Sequence, residues 1–507
     1  MKIKTVVATG AAVSAAWVAV ASTKVIFHGW DSMDVTPSEL LANAEAVAAC
    51  GSDGFAIPVI LKAADGRSLN SCTLLSDARW AWQDVSPLVP TLREIVQKPG
   101  LKESLLHFWG MPRPRLAWTD DAAWATAANN LAVLARLAKE GGLKGLNLDA
   151  EDYYKTRQFF WLPEKDPDWN ATVRLARRRG AEFFGAAFKA FPDMVLVSFF
   201  LFALDPEYGR TEANPNLTLR RKKDLWPAFL NGLLDALPPT ARIFDGDENA
   251  YHYEAARHDF YRAASRQLTG LLPLVAAENR AKYRAQNGVS YGFYADGYAA
   301  PTNSPWYVPM VRGSRVTALD ENLQEAVKAC DGYIWVYGES HPFLRWKGCA
   351  NPRLRRFDTV PTWDEGPLPG FRDIIDMNTR SLAFAARKRA EQMASGTYRN
   401  LAEGKGPKAD GNVSEWVKAE KGAVYAVSFD MKGFGRALTS WRGRKGWMWE
   451  CSSYASFGPA DAKGARRGVI ISRTPPDGES LYICLDGNAK DSPQDVTFSN
   501  LEVIRVR

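Results

Sequence analysis

Short runs of β-branched and aromatic residues recur eight times between residues 25 and 337, and most are followed by a stretch with helical spacing of apolar residues. Strands that alternate with helices pair in parallel and are covered on both faces, so they read as nearly continuous apolar runs. The pattern therefore predicts a (β/α)8 TIM barrel. A doubly wound open sheet is the alternative, but it normally carries a glycine-rich phosphate loop after its first strand, whereas this strand ends in His28-Gly29-Trp30-Asp31. The eight strand candidates are Val25–His28, Gly54–Pro58, Ser104–Trp109, Gly145–Asp149, Met194–Phe199, Ala241–Asp245, Val289–Tyr294 and Tyr333–Tyr337.

Amphipathic stretches between these strands predict the helices of the barrel. The first opens with the capping signal Thr36-Pro37-Ser38-Glu39. The predicted helices are Pro37–Ala49, Asp120–Glu140, Arg174–Phe191, Leu225–Leu237, Asp259–Gln286 and Asp320–Ala329.

The pattern changes near residue 395, after a long predicted helix at Thr379–Met393. A linker rich in Gly and Lys over 395–411 is followed by short alternating runs separated by Pro, Asp and Gly turns. We therefore expect a catalytic barrel over 23–394 and an all-β sandwich over 412–507, jelly-roll-like and of the size of an accessory domain that could bind carbohydrate. The predicted strands of this sandwich are Val424–Phe429, Gly468–Ser472, Ser480–Leu485 and Val496–Arg507.

Three tryptophans of the C-terminal part, Trp441, Trp447 and Trp449, lie close together in the sequence. Trp447 and Trp449 are two positions apart and would share one face of a strand. Such residues either offer a sugar-stacking surface or pack the sandwich core and a domain interface.

The first 22 residues indicate export. Lys2 and Lys4 precede an apolar stretch from Thr5 to Val20, and small residues at 19–22 can serve as a cleavage site. A buried first helix or an uncleaved anchor is the alternative. We expect a cleaved signal peptide over 1–22 and a secreted or periplasmic protein. No later run approaches the ~20 apolar residues that span a bilayer, so no membrane span is expected after cleavage.

The chain has six cysteines in three local couples, which fits an exported protein. Pairing of neighbours would give disulfides 50–72, 330–349 and 451–484, whereas the alternative is a set of free buried thiols. No C-x-x-C occurs, which excludes a zinc ribbon. The formal net charge is +7, but no dense Lys/Arg stripe is present, so a nucleic-acid partner is not expected.

Residues at the ends of the predicted strands indicate where chemistry would occur, because the active site of a TIM barrel lies at the C-terminal ends of its strands. Four of the five histidines and several tryptophans fall there. Acidic residues beside aromatic ones also follow four of the strands, and Asp149 and Glu151 are two apart, so that they share a face. Cleavage of a glycosidic bond needs one carboxylic acid and one carboxylate, and aromatic walls both stack on sugars and raise the pKa of a neighbouring acid. The sequence therefore favours a glycoside hydrolase.

The segment Lys144-Gly-Leu-Asn-Leu-Asp-Ala-Glu151 resembles the D-G-x-D-x-D-x-E signature of family 18 glycoside hydrolases, the chitinases. Gly145, Asp149 and Glu151 match it, whereas Lys144 and Asn147 stand where that family has aspartates. The resemblance implies that Glu151 is the general acid and that Asp149 orients a substrate N-acetyl group acting as the nucleophile. More broadly, residues 24–350 resemble secreted (β/α)8 glycosidase-like proteins of polysaccharide-degrading bacteria, which implies a glycan substrate.

The expected catalytic set is Glu151 as general acid/base, with Glu248 or Glu339 as its partner, or Asp149 if the reaction is substrate-assisted. We expect neither a cofactor nor a metal, and a carbohydrate substrate that is anionic or N-acetylated. The anionic option depends on Arg113, Arg115, Arg210, Arg312, Arg315, Arg345 and Lys347, since arginine pairs bidentately with sulfate or carboxylate. A metal-dependent hydrolase or isomerase on the same barrel and a non-catalytic glycan-binding protein are the alternatives. The expected substrate-binding residues are His28, Trp30, Asp31, His107, Trp109, Asp247, Tyr251, His252, Asp296, Trp335 and His341.

Overall fold

The computed structural model describes residues 23–76, 78–208, 215–346, 354–408, 411–487 and 496–507. The predicted signal peptide, Arg210, Lys347 and Cys349 lie outside these residues. No helix within the described ranges is long and apolar enough to cross a membrane.

The first ten strands are β1 (Lys24–Gly29), β2 (Gly54–Pro58), β3 (Ile60–Lys62), β4 (Ser68–Asn70), β5 (Leu105–Trp109), β6 (Gly145–Asp149), β7 (Val195–Ser198), β8 (Arg242–Asp245), β9 (Asn287–Tyr294) and β10 (Tyr333–Gly338). Strands β3 and β4 form a hairpin, and the other eight close into a parallel barrel in which β1 pairs with both β2 and β10. This confirms the predicted TIM barrel. Because the barrel strands are covered on both faces, successive residues such as Val25, Ile26 and Phe27 are all fully buried.

The helices α1–α14 surround the barrel and lead out of it. They are α1 (Pro37–Ala42), α2 (Ala44–Cys50), α3 (Trp82–Val85), α4 (Val89–Ile95), α5 (Asp121–Glu140), α6 (Trp169–Ala190), α7 (Pro215–Lys222), α8 (Trp226–Ala236), α9 (Asp259–Ser265), α10 (Arg280–Gln286), α11 (Ala295–Ala299), α12 (Arg315–Ala329), α13 (Phe371–Thr379) and α14 (Ser381–Ala394).

Two of the predicted helices are interrupted. The predicted capping box at Thr36 is present, since Glu39 N–H donates to the Thr36 hydroxyl and Thr36 N–H donates to Glu39, but the helix breaks at Asn43 into α1 and α2. The single helix predicted over 259–286 is wrong. Pro273 lies in its middle and lacks the N–H that a helix interior needs, so α9 and α10 are separated by short irregular turns.

The C-terminal part is the predicted β domain. Its strands are β11 (Val413–Lys418), β12 (Val424–Lys432), β13 (Arg436–Gly443), β14 (Gly446–Tyr454), β15 (Ser456–Ala460), β16 (Ala465–Arg473), β17 (Gly478–Asp486) and β18 (Thr497–Arg505). They form two four-stranded antiparallel sheets, in the orders β11-β17-β13-β14 and β15-β16-β12-β18. The two sheets share one apolar core, and Trp441 is fully buried in it.

The barrel and the β domain meet around a buried carboxylate on α12. Asp320 is 1% exposed and accepts hydrogen bonds from Arg473 at 2.7 and 2.9 Å, from Arg507 at 3.0 Å and from the Asn378 amide at 2.9 Å. Burial alone would raise the pKa of Asp320, but the two arginines outweigh it and hold the pKa below its usual range. The folded protein therefore needs this carboxylate in its charged form.

The variant Asp320→Asn should lower the free energy of unfolding by about 3–5 kcal/mol, because two partly buried guanidinium groups lose their counter-charge. The difference from the wild type should shrink in acid. A carboxylate whose pKa is lowered by folding stabilises the fold above its unfolded pKa, and this contribution disappears as the pH falls through the folded pKa. Urea unfolding at pH 7 and pH 3.5 measures both effects. Glu321→Gln, which breaks an exposed pair with Arg312, is the control and should cost less than about 1 kcal/mol. Equal effects of the two variants would contradict the prediction.

The expected disulfides 50–72 and 451–484 do not form, and the five described cysteines are all free thiols. Cys451 and Cys484 lie on β14 and β17, which flank β13 in the sheet, so that two strand spacings separate them. Two spacings of ~4.8 Å exceed the ~7 Å between Cα atoms that a disulfide can bridge. The Cys50 thiol instead donates to the Val47 carbonyl, and burial raises its pKa to about 11.

Candidate active site

The inside of the barrel ends in an aromatic floor at the C-terminal mouth. Trp335 of β10 stacks on Phe199, which follows β7, with ring centroids 4.1 Å apart and planes 14° apart. The Trp335 indole N–H donates to the Gly246 carbonyl at 3.0 Å. A Cβ atom at Gly246 or at Gly292 would come within 2.5 Å of this indole, so both glycines make room for it. Trp335 is fully buried and Phe199 is 4% exposed, so the floor is a packed aromatic layer that closes the barrel beneath the mouth.

Two carboxyl groups and one tyrosine meet at the end of β6. Asp149 is buried, and its Oδ1 accepts the Glu151 N–H at 2.9 Å. Its Oδ2 lies 2.9 Å from the Tyr153 hydroxyl, which also contacts Glu151 Oε2. Strand β6 ends at Asp149, and the loop that follows brings the side chains of Glu151 and Tyr153 next to that of Asp149.

The Tyr153 hydroxyl has one proton and cannot donate to both carboxyl groups at once. Burial, and then the charge of Glu151, raises the pKa of Asp149 to about 8, so Asp149 is protonated at neutral pH. Burial and the two neighbouring carboxylates also raise the pKa of Tyr153, which keeps its proton. The consistent arrangement is a chain in which Asp149 donates to the Tyr153 oxygen and Tyr153 donates to the Glu151 carboxylate.

A third carboxyl group comes from the loop after β8. Glu248 begins a short helical turn, is half-buried, and has no hydrogen-bond partner for its carboxyl group among the described residues. Burial, followed by the charges of Glu151 and Asp149, raises its pKa to about 8. Glu248 is therefore mainly a neutral acid at pH 7, next to the carboxyl groups of β6.

Two neutral histidines lie beside the floor, on β1 and β5. The rings of His28 and His107 are 4.4 Å apart. Since the Asn147 amide donates to the Val197 carbonyl at 3.2 Å, its oxygen faces His107 and accepts the Nδ1 proton at 2.7 Å. Burial lowers the pKa of His28, and it lowers that of His107 to about 4. Asn147, which stands where the family 18 motif has an aspartate, thus fixes the orientation of His107. Because His28 and His107 are both neutral, neither forms an ion pair with the carboxylates.

Aromatic side chains form the walls of the mouth. Trp109 lies 4.9 Å from Tyr153, and His252 is stacked on Trp306 at 5.3 Å with an interplanar angle of 11°. Tyr251 contacts the Trp335 ring at 5.5 Å. Further members of the wall are Trp30, whose indole N–H donates to the Tyr337 hydroxyl, and the stacked pair Tyr294 and Tyr337.

Several of the expected site residues form hydrogen bonds that fix loops of the barrel. Asp31 is buried directly after β1, and its Oδ2 accepts the Phe343 N–H at 2.8 Å and the Trp346 indole N–H at 3.1 Å. Asp247 is fully buried and accepts hydrogen bonds from Asn249, Tyr253 and Gln267. Asp247 is bound by protein donors at both oxygens, whereas Oδ1 of Asp31 is buried without a hydrogen-bond partner among the described residues, and burial raises the pKa of Asp31 to about 6.

The loop after β10 is held in the same way. Asp296 accepts the N–H groups of Glu339 at 2.7 Å and Ser340 at 3.1 Å, and His341 donates from Nδ1 to the Pro361 carbonyl at 2.8 Å. The Glu339 side chain is exposed, and its charge helps to raise the pKa of Tyr337. Glu339 therefore lies at the outer edge of the wall, away from the floor.

The arginines that suggested an anionic substrate are mostly paired. Arg115 pairs with Asp166 at 2.6 Å, Arg312 with Glu321, and Arg345 with Glu365 at 3.0 Å. Arg113 lies over the ring of Tyr154 at 4.6 Å, close to Trp109. The described part of the chain contains no group of three His, Cys, Asp or Glu side chains that could hold a metal ion.

No family model and no curated protein match this chain. Solved structures that align with this chain include the catalytic domain of a hyperthermophilic chitinase from Pyrococcus furiosus (11% identity, 72% of this chain and 97% of that chain, TM-score 0.37). They also include GH5_18 from Streptomyces cattleya in complex with GlcNAc (13% identity, 76% and 83%, TM-score 0.37) and a D-psicose 3-epimerase from Clostridium cellulolyticum (9% identity, 72% and 98%, TM-score 0.33). Their titles cover both glycoside hydrolases and an epimerase, so the argument about activity depends on the side chains of this chain.

The variant Tyr153→Phe tests the shared hydroxyl. Because the ionised form of Glu151 loses a donor and buried Asp149 loses a partner, we expect kcat/KM to fall by ~10- to 100-fold. We expect the free energy of unfolding to fall by about 1–2 kcal/mol. Steady-state kinetics and urea unfolding measure the two effects. Tyr154→Phe is the matched control, and a similar loss in both variants would contradict the prediction.

Proposed function

We propose that this protein is a glycoside hydrolase in which Glu248 donates the proton and Glu151 supplies the carboxylate. The observation that carries the proposal is the meeting of Asp149, Glu151 and Glu248, with Tyr153 joining the first two. Cleavage of an acetal needs one neutral and one ionised carboxyl group. Two carboxyl groups whose surroundings give them different pKa values can fill these two roles.

Glu248 fits the role of general acid. Its pKa of about 8 keeps it protonated at neutral pH, and no hydrogen-bond donor within the described residues competes for its carboxyl group. Transfer of this proton to the glycosidic oxygen lets the leaving sugar depart as an alcohol. Once ionised, the same group can take a proton from the incoming water.

Glu151 fits the role of the carboxylate that faces the anomeric carbon. The Tyr153 hydroxyl stabilises its ionised form, and Asp149 is committed through both oxygens to Glu151 N–H and Tyr153. Asp149 is thus better placed to orient Glu151 than to hold a substrate N-acetyl group. This division of roles reverses the assignment that the family 18 resemblance implies, and it is supported by the replacement of the motif aspartate with Asn147.

A panel digestion tests the activity. The chain from residue 23 onward is incubated with neutral, N-acetylated and uronic or sulfated polysaccharides, with and without EDTA, and reducing ends are measured. We expect release from one class, unchanged by EDTA and lost in Glu151→Gln. Activity that EDTA removes and a divalent ion restores would indicate a metal-dependent enzyme instead. Binding of one glycan without release from any class would indicate a non-catalytic binding protein.

A second measurement distinguishes the mechanisms. Proton NMR of the first product gives the anomer formed, which reports whether Glu151 attacks the sugar or activates water. Inhibition by an N-acetyl thiazoline would instead support the substrate-assisted route through Asp149. Export through residues 1–22 is part of the proposal as well, and N-terminal sequencing of the protein recovered from culture medium or periplasm tests it.

A further inference from the structure

The outer face of the sheet β11-β17-β13-β14 carries a cluster of four aromatic rings, far along the chain from the barrel mouth. Trp447 and Trp449 are stacked with centroids 4.6 Å apart and planes 8° apart. Trp447 also lies 5.0 Å from both Trp416 and Tyr482, and Trp416 lies 4.8 Å from Tyr482. We call Trp416, Trp447, Trp449 and Tyr482 the aromatic patch.

Strand register explains how residues from three strands reach one another. Trp416 on β11 is opposite Tyr482 on β17, and Tyr482 is opposite Ser440 on β13. Because Ser440 is small, the ring of Trp447 on β14 can reach across β13 to Tyr482. Trp441, the next residue after Ser440, points to the other face and is fully buried in the core.

The neighbouring row of the same face is cationic. Lys418 is opposite Ser480, Ser480 is opposite Arg442, and Arg442 is opposite Trp447. Lys418 and Arg442 are exposed, and neither has an ion pair among the described residues. Arg444, in the turn after β13, pairs with Glu479 instead. Two uncompensated positive charges therefore border the aromatic patch.

The exposure of the aromatic patch indicates that it binds a ligand. Trp447 is 44% and Trp449 53% exposed, although Trp441 shows that the same domain buries a tryptophan completely. Contiguous exposed aromatic surface beside polar residues marks binding sites. A second copy of this chain is a poor occupant, because a two-fold contact through the patch would bring Lys418 and Arg442 of both copies together, and like charges repel.

We propose that the aromatic patch binds an anionic polysaccharide chain. The C–H faces of pyranose rings pack on the free ring faces of Trp449, Trp416 and Tyr482, while Lys418 and Arg442 pair with carboxylate or sulfate groups of the same chain. This site is separate from the carboxyl cluster of the barrel and does not depend on the proposed hydrolase activity.

Isothermal titration calorimetry of the full chain with soluble alginate, polygalacturonate and chondroitin sulfate tests the proposal, with dextran and hydroxyethyl cellulose as neutral probes. We expect binding to at least one anionic polymer and to neither neutral one. Trp447→Ala combined with Trp449→Ala should weaken it by ~10-fold or more. Arg442→Gln should weaken it several-fold and reduce its dependence on salt.

Two control variants separate this site from general attraction to a basic protein. Tyr454→Ala removes a 70% exposed ring of β14 outside the patch, and Lys463→Gln removes one exposed positive charge from the turn between β15 and β16. Both should bind as the wild type does. Equal weakening by Lys463→Gln and Arg442→Gln, no binding to any of the three anionic polymers, or a dimer in solution that the tryptophan variants dissociate would overturn the proposal.

Discussion

Replacing Glu151 with glutamine is expected to lower kcat by at least ~10³-fold on every substrate that the protein cleaves. The amide keeps the size of the side chain but carries no charge, so it can neither attack the anomeric carbon nor activate water there. Because the ionised form of Glu151 is needed in the step that forms the new bond, activated and poor leaving groups should suffer equally. Steady-state kinetics with both kinds of substrate measure this.

Added azide extends the test of Glu151. If Glu151 attacks the sugar, azide should enter the space that the shorter variant Glu151→Ala leaves open, restore part of the rate and yield a glycosyl azide of inverted configuration. Glu164→Gln removes an exposed carboxylate from the same loop and should leave kcat unchanged. A Glu151→Gln variant that retains more than about a tenth of the wild-type rate would remove Glu151 from the mechanism.

For Glu248→Gln the expected loss depends on the leaving group. A poor leaving group needs the proton of Glu248, so kcat/KM for a natural glycan should fall by ~10²- to 10³-fold. A dinitrophenyl glycoside needs no proton, and its bond-cleavage step should slow by less than about tenfold. The Glu254→Gln variant, which changes an acid in the same loop that pairs with Arg257, is the control.

The pH profile gives an independent readout for Glu248. A general acid works only while it is protonated, and the pKa of Glu248 is raised to about 8, so kcat/KM should fall as the pH rises through about 8. In Glu248→Gln this basic limb should disappear. Should the limb persist in the variant, or should both leaving groups be affected equally, the proton donor is another residue and the roles of Glu151 and Glu248 have to be exchanged.

The barrel could be predicted from the sequence because the pattern of its strands is local. All eight predicted strands lie in the barrel, with ends that differ by at most two residues from those observed, since strands buried on both faces are apolar without interruption. In the β domain, β11, β13, β14 and β15 were missed. In β14 the exposed outer face carries the apolar side chains of Trp447 and Trp449, so the alternation of apolar and polar residues that marks a half-buried strand is absent.

The site was predicted only in part. The spacing of Asp149 and Glu151 correctly places both at the end of β6, and Tyr153 could have been found by extending that spacing by two residues. Asp31, Asp247 and Asp296 follow strands just as Glu248 does, yet each accepts hydrogen bonds from backbone or side-chain donors elsewhere in the protein. A carboxylate at a strand end has the same sequence signature whether it holds a loop or faces a substrate.

The sequence by itself determined which segments alternate as strand and helix, that the barrel precedes a β domain, and that acids and aromatic residues collect at one end of the strands. These properties follow from periodicity and from the parallel direction of the strands. The tertiary structure alone decided which acids remain available, that Tyr153 joins Asp149 to Glu151, and that Lys418 and Arg442 border an aromatic patch. Each of these depends on strand register and on loops between residues far apart in the chain, and burial, which sets the charge of a carboxyl group, exists only when those parts meet.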